Sequence, residues 1–567
     1  MPEPKKQNFL QGALILSAAT ALVKIIGALF KIPLSNQIGP EGLAHVTAAY
    51  NIYATLFVIA TAGLPVAVSK MVSEAVARRR TAEKRAIFRL SLLCFLLIGA
   101  VGTVFLFFGA RTVAGWMNYP DAYQAVQAIA PAVLFVALMS AFRGYYQGHG
   151  NMMPTAVSQV IEALCKLGVG YITASVMFNA FQNAAKTPDV IAKANQMLQE
   201  ALSKGEDFSL SQAFQALAGQ AAAPGALIGI SVGSVLGALY LFVHYRRRAE
   251  KFPLGAAQEN RGNRRIFKEL LRLSIPVTIS ASVLNLSNLI DVALVKARLV
   301  DASGFSETAA ETMYGSYTYA QNLFNLPSAF ILTLAVSVIP AIATALAKND
   351  KASANQTIRS SLRVTSLLAM PAAAGLIALA FPLLFLLNGA RQPEAVAIAW
   401  PLLRTLGFAV PFVCLVSLTN SILQAMGMVS VPILNMLVGG LLKIAINYVL
   451  VGNPAVNIAG APVGTLVCYA VISLLNLIVI ARVTRSVRFL GVFVKPVLAS
   501  ALMGGAAYSV HSILTAGLGF GNSIAVLLTI GVAFVVYLIL ILALRALPKE
   551  DLLLIPKGEK LAKLLKL

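Results

Sequence analysis

Seven basic residues lie inside apolar runs long enough to cross a bilayer: Lys24, Lys31, Lys70, Arg143, Lys166, Arg404 and Lys443. Only two acids, Glu162 and Asp291, are placed well inside such runs by the sequence. A charge near the bilayer centre costs roughly 2.5–3.5 kcal/mol on insertion scales, so it persists where its face lines water, a partner or a ligand. An interior dominated by bases focuses a positive field in a low-dielectric cleft. That field suits a phosphate or pyrophosphate, whose oxygens match ammonium and guanidinium donors. Lys24 and Lys31 are the clearest case, because residues seven apart on an α-helix stand nearly one above the other.

Each group also has a local alternative. Lys31, near a span end, either snorkels to the interface or lines a cavity. Lys70 precedes Glu74 by four residues and forms either an interfacial pair or a ligand contact. Arg143 stands near a span end and can snorkel, while Glu162 and Lys166, four apart, either neutralise each other or face a ligand separately. Arg404 and Lys443 have no local acid, so they occupy a wet cavity or bond carbonyls between helices. Asp291, in the run Asn285-Leu286-Ser287-Asn288-Leu289-Ile290-Asp291, offers oxygens to a sodium ion or a proton, or caps its span.

Catalytic chemistry has little support. There is no G-x-x-x-x-G-K-[ST] phosphate loop, no H-E-x-x-H and no Ser/His/Asp spacing. Cys94, Cys165, Cys414 and Cys468 are scattered singly in apolar runs and read as core fillers. No organic cofactor is expected. Transport would draw on a Na+ or H+ gradient, on membrane potential, or on the substrate's own gradient.

The elements that must position these charges follow from composition. A chain of 567 residues with 58% hydrophobic and 12% charged residues belongs to the polytopic membrane class. Apolar runs predict an all-α protein of fourteen spans, beginning near 9, 43, 87, 122, 153, 224, 272, 314, 362, 395, 430, 457, 492 and 522. Bases crowd into alternate loops: Lys5 and Lys6, Arg78 to Arg89, Arg246 to Arg272, Lys348 to Arg363, Arg482 to Lys495, and Arg545 onward. The intervening loops hold only Arg111, Lys186, Lys193, Lys204, Lys296, Arg298 and Arg391. The positive-inside rule then puts both termini in the cytoplasm of a multi-pass membrane protein. It also explains most of the +23 net charge without nucleic acid.

The expected organisation is an N-terminal lobe over 1–250, with an extracellular helical loop at 180–222 capping its outer mouth. A basic linker at 251–272 leads to a C-terminal lobe over 273–488, a further helix pair over 489–548 and an amphipathic tail at 549–567 suited to an anionic leaflet. An internal repeat supports the two six-span lobes. Tyr146-Gln147-Gly148-His149-Gly150 is followed by Pro154 and Lys166, and Leu423-Gln424-Ala425-Met426-Gly427 by Pro432 and Lys443. LPVAVSKMVSEA from Leu64 likewise has a counterpart in LAVSVIPAIATA from Leu334.

The stretches GALILSAATALVKIIGALFKIPLSNQIGPEG, TAGLPVAVSKMVSE, FRGYYQGHGNMMPTAVSQVIE and YAQNLFNLP resemble the Gram-positive branch of the MurJ and SpoVB type flippases, within the multidrug/oligosaccharidyl-lipid/polysaccharide exporter superfamily. The resemblance covers nearly the whole chain. It implies a flippase carrying lipid II, the undecaprenyl-pyrophosphate-linked peptidoglycan precursor, from inner to outer leaflet by alternating access through a central cationic cavity, with the last two spans forming a groove for the lipid tail. It also implies an essential base at Lys24, while the place of a second base in span eight is taken here by Asn322. Sodium ligands of some relatives fall in spans seven, eleven and twelve, which the resemblance assigns to Asp291, Asn435 and Thr465. Implied partners are the lipid-linked precursor, the bilayer and the cell-wall synthesis machinery.

On this leading reading Lys24, Lys31 and Lys70 of the first lobe hold the pyrophosphate, and other readings make different demands. A flippase for another polyprenyl-linked glycan, of spore cortex, teichoic acid or capsule, would use the same pyrophosphate contacts. A multidrug antiporter for cationic drugs calls for interior acids, whereas bases dominate here. A glycosyltransferase or polymerase needs a catalytic Asp or Glu facing a large outer loop, and a scaffold leaves mid-membrane charges unexplained.

Overall fold

The computed structural model describes residues 9–61, 63–78, 80–184, 187–249, 262–347, 349–389, 391–484, 490–544 and 546. Residues 251–261 of the expected basic linker and the amphipathic tail expected at 549–567 lie outside the described residues, while 263–272 of that linker belong to a helix. All regular structure among the described residues is helical: α1 Phe9–Thr61, α2 Gly63–Ala77, α3 Thr81–Phe108, α4 Ala110–Trp116, α5 Tyr123–Gly148, α6 Met153–Ala184, α7 Pro188–Ser203, α8 Leu210–Ala249, α9 Asn263–Ala297, α10 Glu307–Ala347, α11 Lys351–Ala378, α12 Ala380–Leu384, α13 Pro393–Ala425, α14 Ser430–Val451, α15 Gly460–Thr484, α16 Leu490–Ser512 and α17 Asn522–Ala543. A spanning segment has to satisfy its backbone internally, which a helix does.

Eleven stretches among the described residues are long and apolar enough to cross a membrane. One of them, Ala18–Val76, runs through the first two expected spans. Its break is at Gly39, whose φ of 70° is left-handed and suits a residue without Cβ, and Pro40 follows with no N–H to donate. Helices α9 and α10 stand where the seventh and eighth spans are expected, so the architecture is compatible with fourteen.

The chain forms two compact units. The first comprises 1–318 and 451–458, the second 319–450 and 459–567. The division therefore falls inside α10, not at the basic linker, because α9 packs against α1 and α2. In the first unit, Leu64, Val68 and Val72 of α2 form a core with Ile87 and Phe95 of α3, Ala137 and Ala141 of α5, and Ile266 and Leu270 of α9. On the outer side of α3, Leu93, Leu97, Val101, Val104 and Phe108 recur at helical spacing and are exposed, up to 81% for Phe108. Such a stripe suits contact with lipid.

Small residues bring α6 and α8 together. Gly225, Gly229, Gly233 and Gly237 recur every four residues on α8, and a Cβ at Gly229 would lie 2.5 Å from the Gly170 backbone of α6. Because apolar tails solvate apolar side chains in a bilayer, close packing of this kind supplies much of the association between spans. Within 180–222, Ala194 and Met197 of α7 pack on Ala213, Ala216 and Leu217 of α8.

In the second unit, Ile358 and Leu362 of α11 pack with Leu418 and Ile422 of α13, Ile480 of α15 and Val492 of α16. The final pair joins α11 through Met503 and Ala507 of α16 and Ala533 and Tyr537 of α17, and the Tyr537 hydroxyl donates to the Leu367 carbonyl at 2.7 Å.

Candidate functional site

The close α6–α8 packing fixes where the α6 lysine can go. Gly170 leaves room for Phe30 of α1, whose Cε2 would stand 3.2 Å from a Cβ at that position. One turn earlier on α6, the Lys166 ammonium lies 5.3 Å from the centre of the Phe30 ring and 5.0 Å from that of Tyr50. Both distances are in cation–π range. Lys24 and Lys31 are near enough to act electrostatically on Lys166, and Lys24 on Lys31. Lys24 is exposed, while Lys31 and Lys166 are half-buried. The first unit thus presents three ammonium groups from two helices on a common face.

Glu162 does not neutralise them. Of the alternatives for the Glu162/Lys166 spacing, the structure takes the separate one: Glu162 Oε2 accepts from Nη2 of Arg143 on α5, and Arg143 Nε donates to Ser158 Oγ at 3.0 Å. The planar guanidinium reaches two acceptors on the facing helix, which snorkelling would forgo. Lys166 has no carboxylate partner among the described residues. Lys70 is exposed on α2 and forms no ion pair with Glu74. No described contact joins it to the other lysines.

In the second unit, Arg404 is exposed on α13, with no hydrogen bond or ion pair among the described residues. Lys443 is buried on α14, and Asn322 is half-buried on α10. Asn435 of α14 donates to Oδ1 of Asn476 on α15 at 2.8 Å. Asn476 in turn donates to Thr419 Oγ1 at 2.9 Å and to Asn420 Oδ1 at 2.8 Å, both on α13. Thr465 donates to the Ala461 carbonyl at 3.1 Å. It lies eleven residues before Asn476 on α15, about 16 Å along the axis at 1.5 Å per residue, so Asn435 and Thr465 do not meet at one level. Asp291 belongs to the first unit, buried on α9 within electrostatic reach of Tyr314.

Asn476 is therefore the hub of three helices, a role that the sequence reading overlooked because a lone Asn carries no periodic signal. Asn476→Ala strands Asn435, Thr419 and Asn420 at once and is expected to lower stability by about 1–3 kcal/mol. Thermal unfolding of the purified protein in detergent measures this, and an unchanged midpoint would contradict the role.

The acids of the first unit need a correction. Lys296, expected in a loop, is 1% exposed. Its ammonium lies 2.8 Å from Glu311 Oε1, 2.7 Å from Glu307 Oε2 and 4.2 Å from the centre of the Tyr119 ring. Glu311 Oε2 accepts from Gln220 Nε2 at 2.9 Å and lies 3.1 Å from His45 Nε2, while Glu41 accepts from the Thr312 hydroxyl. Glu41 and Glu311 thus join Glu162 and Asp291 as interior acids. The cause is helix length: α9 persists to Ala297 and α10 begins at Glu307, ahead of the apolar run expected near 314. The available signal was the i, i+4 spacing of Glu307 and Glu311, which puts both carboxylates on one face.

The chain as a whole is similar to known proteins. The family described as Lipid II flippase MurJ matches residues 83–529. Stage V sporulation protein B of Bacillus subtilis (strain 168) is 26% identical over 561 residues, covering 97% of this chain and 98% of that protein. Lipid II flippase MurJ of the same organism is 24% identical over 487 residues, covering 84% of this chain and 83% of that protein. A solved structure, lipid II flippase MurJ in an inward closed conformation, shares the fold with a TM-score of 0.64 at 16% identity, covering 93% of this chain and 97% of that one. With the family match running through most of its length, from α3 into α17, the chain belongs to the lipid II flippase MurJ family.

Proposed function

We propose that this transporter moves lipid II from the inner to the outer leaflet, holding its pyrophosphate on Lys24, Lys31 and Lys166. The observation that carries the reading is the set of three ammonium groups sharing one face of the first unit, where the nearby carboxylate of Glu162 is taken by Arg143. The oxygens of a diphosphate match ammonium donors, and charge-assisted hydrogen bonds are about twice as strong as neutral ones. The basic loops favour cytoplasmic termini. Movement by alternating access would draw on membrane potential or a Na+ or H+ gradient.

A second reading is a related polyprenyl-linked glycan, such as a spore-cortex precursor. It is favoured by the likeness to Stage V sporulation protein B, which extends over 97% of this chain. Both readings are tested in cells where this chain is the sole flippase and can be switched off, with an impermeant probe reading lipid II at the outer surface. Exposed lipid II is expected to fall while total precursor accumulates. Unchanged exposure with loss of another polymer would move the assignment to the second reading.

A further inference from the structure

Tyr50 stands beside the cationic face and is not itself charged. The residue is 40% exposed, and its hydroxyl has no hydrogen-bond partner among the described residues. Beneath it, Tyr53 is 5% exposed with its ring centre 6.0 Å away, and Phe57 follows at 5.8 Å from Tyr53, so a packed aromatic ladder holds Tyr50 in place. Lys166 approaches the ring at 5.0 Å, and Glu162 is close enough to act on Tyr50 electrostatically. Arg143 engages Oε2 of Glu162, while Oε1 has no described partner and the side chain is 24% exposed.

A lipid-facing aromatic would be expected among apolar neighbours, whereas Tyr50, partly accessible, has the Lys166 ammonium over its ring. Resting on the pyrophosphate reading of that face, we infer that Tyr50 and Glu162 form a subsite for the sugar ring joined to the pyrophosphate. In a glycosyl diphosphate the first sugar is one bridging oxygen away from phosphorus. A diphosphate on Lys166 therefore places that sugar next to the neighbouring Tyr50. The face of an aromatic ring is negative and complements the C–H face of a pyranose, the Tyr50 hydroxyl can bond a ring substituent, and Glu162 Oε1 can accept from a hydroxyl or amide. The site thus distinguishes a glycosylated diphosphate from a bare one.

The test uses the purified full-length protein in nanodiscs, with undecaprenyl pyrophosphate and lipid II as paired ligands for wild type, Tyr50→Ala and Tyr50→Phe. Tyr50→Ala is expected to weaken lipid II binding about tenfold, the upper end of an aromatic contact, while binding of undecaprenyl pyrophosphate is unchanged. Tyr50→Phe, which keeps the ring and the ladder, retains most of the lipid II affinity. Equal weakening of both ligands would overturn the subsite and make Tyr50 a brace for Lys166, and no change with either would overturn it as well. If the wild type binds neither ligand, the pyrophosphate reading fails and the subsite fails with it. That result is distinct from a wild type that binds both and a variant that does not discriminate.

Discussion

Lys24→Ala is expected to abolish transport while leaving the amount of protein in the membrane unchanged. Lys24 is exposed on α1, so its removal leaves no cavity and strands no partner. Each lost charge-assisted hydrogen bond to a diphosphate is worth about 1.5–3 kcal/mol, or roughly 10- to 150-fold in affinity at 1.4 kcal/mol per decade. The loss should appear in direct binding of undecaprenyl pyrophosphate to the purified variant and in failure to support growth as the sole flippase. Lys31→Ala and Lys166→Ala should weaken binding in the same direction, because the three ammonium groups share one face. Lys24→Arg keeps the charge and should retain part of the activity. Normal growth of Lys24→Ala as the only flippase would count decisively against the proposed site.

The second large effect concerns stability. Lys296→Met removes the cation shared by Glu307 and Glu311, leaving Glu311 buried with Glu41 within electrostatic reach. Breaking a buried pair by deleting one partner typically costs about 3–5 kcal/mol, because the remaining charge is uncompensated. The midpoint of thermal unfolding in detergent should fall accordingly. Glu311→Gln in the same chain removes the stranded charge and should recover much of the loss, giving a favourable coupling in a double-mutant cycle. If the single and double variants unfold alike, the three groups do not act as one network. The network holds the first turns of α10 to α1 and α8 through His45 and Gln220, so the loss should extend to how the α9–α10 turn is held.

The membrane class, the helical fold and the shared face of Lys24 and Lys31 were legible in the sequence, because apolar run length and the 3.6-residue turn are local properties of the chain. The break at Gly39-Pro40 came only with the structure, although backbone freedom and a missing N–H act at the residues that carry them. Partner choice was not. Glu162 is spaced to meet Lys166 on its own helix, yet it pairs with Arg143 on another, and Lys166 instead lies over Phe30 and Tyr50. Likewise Lys296 read as a loop charge until helix extension and the packing of α9 and α10 on α1 bury it against Glu311. A hydrogen bond or ion pair is decided within about 4 Å, and which side chains come that close depends on how nearly the helix axes approach. Here glycines admit α6 to α8, so only the tertiary structure sets which charges are matched, as when Glu162 meets Arg143 and not Lys166.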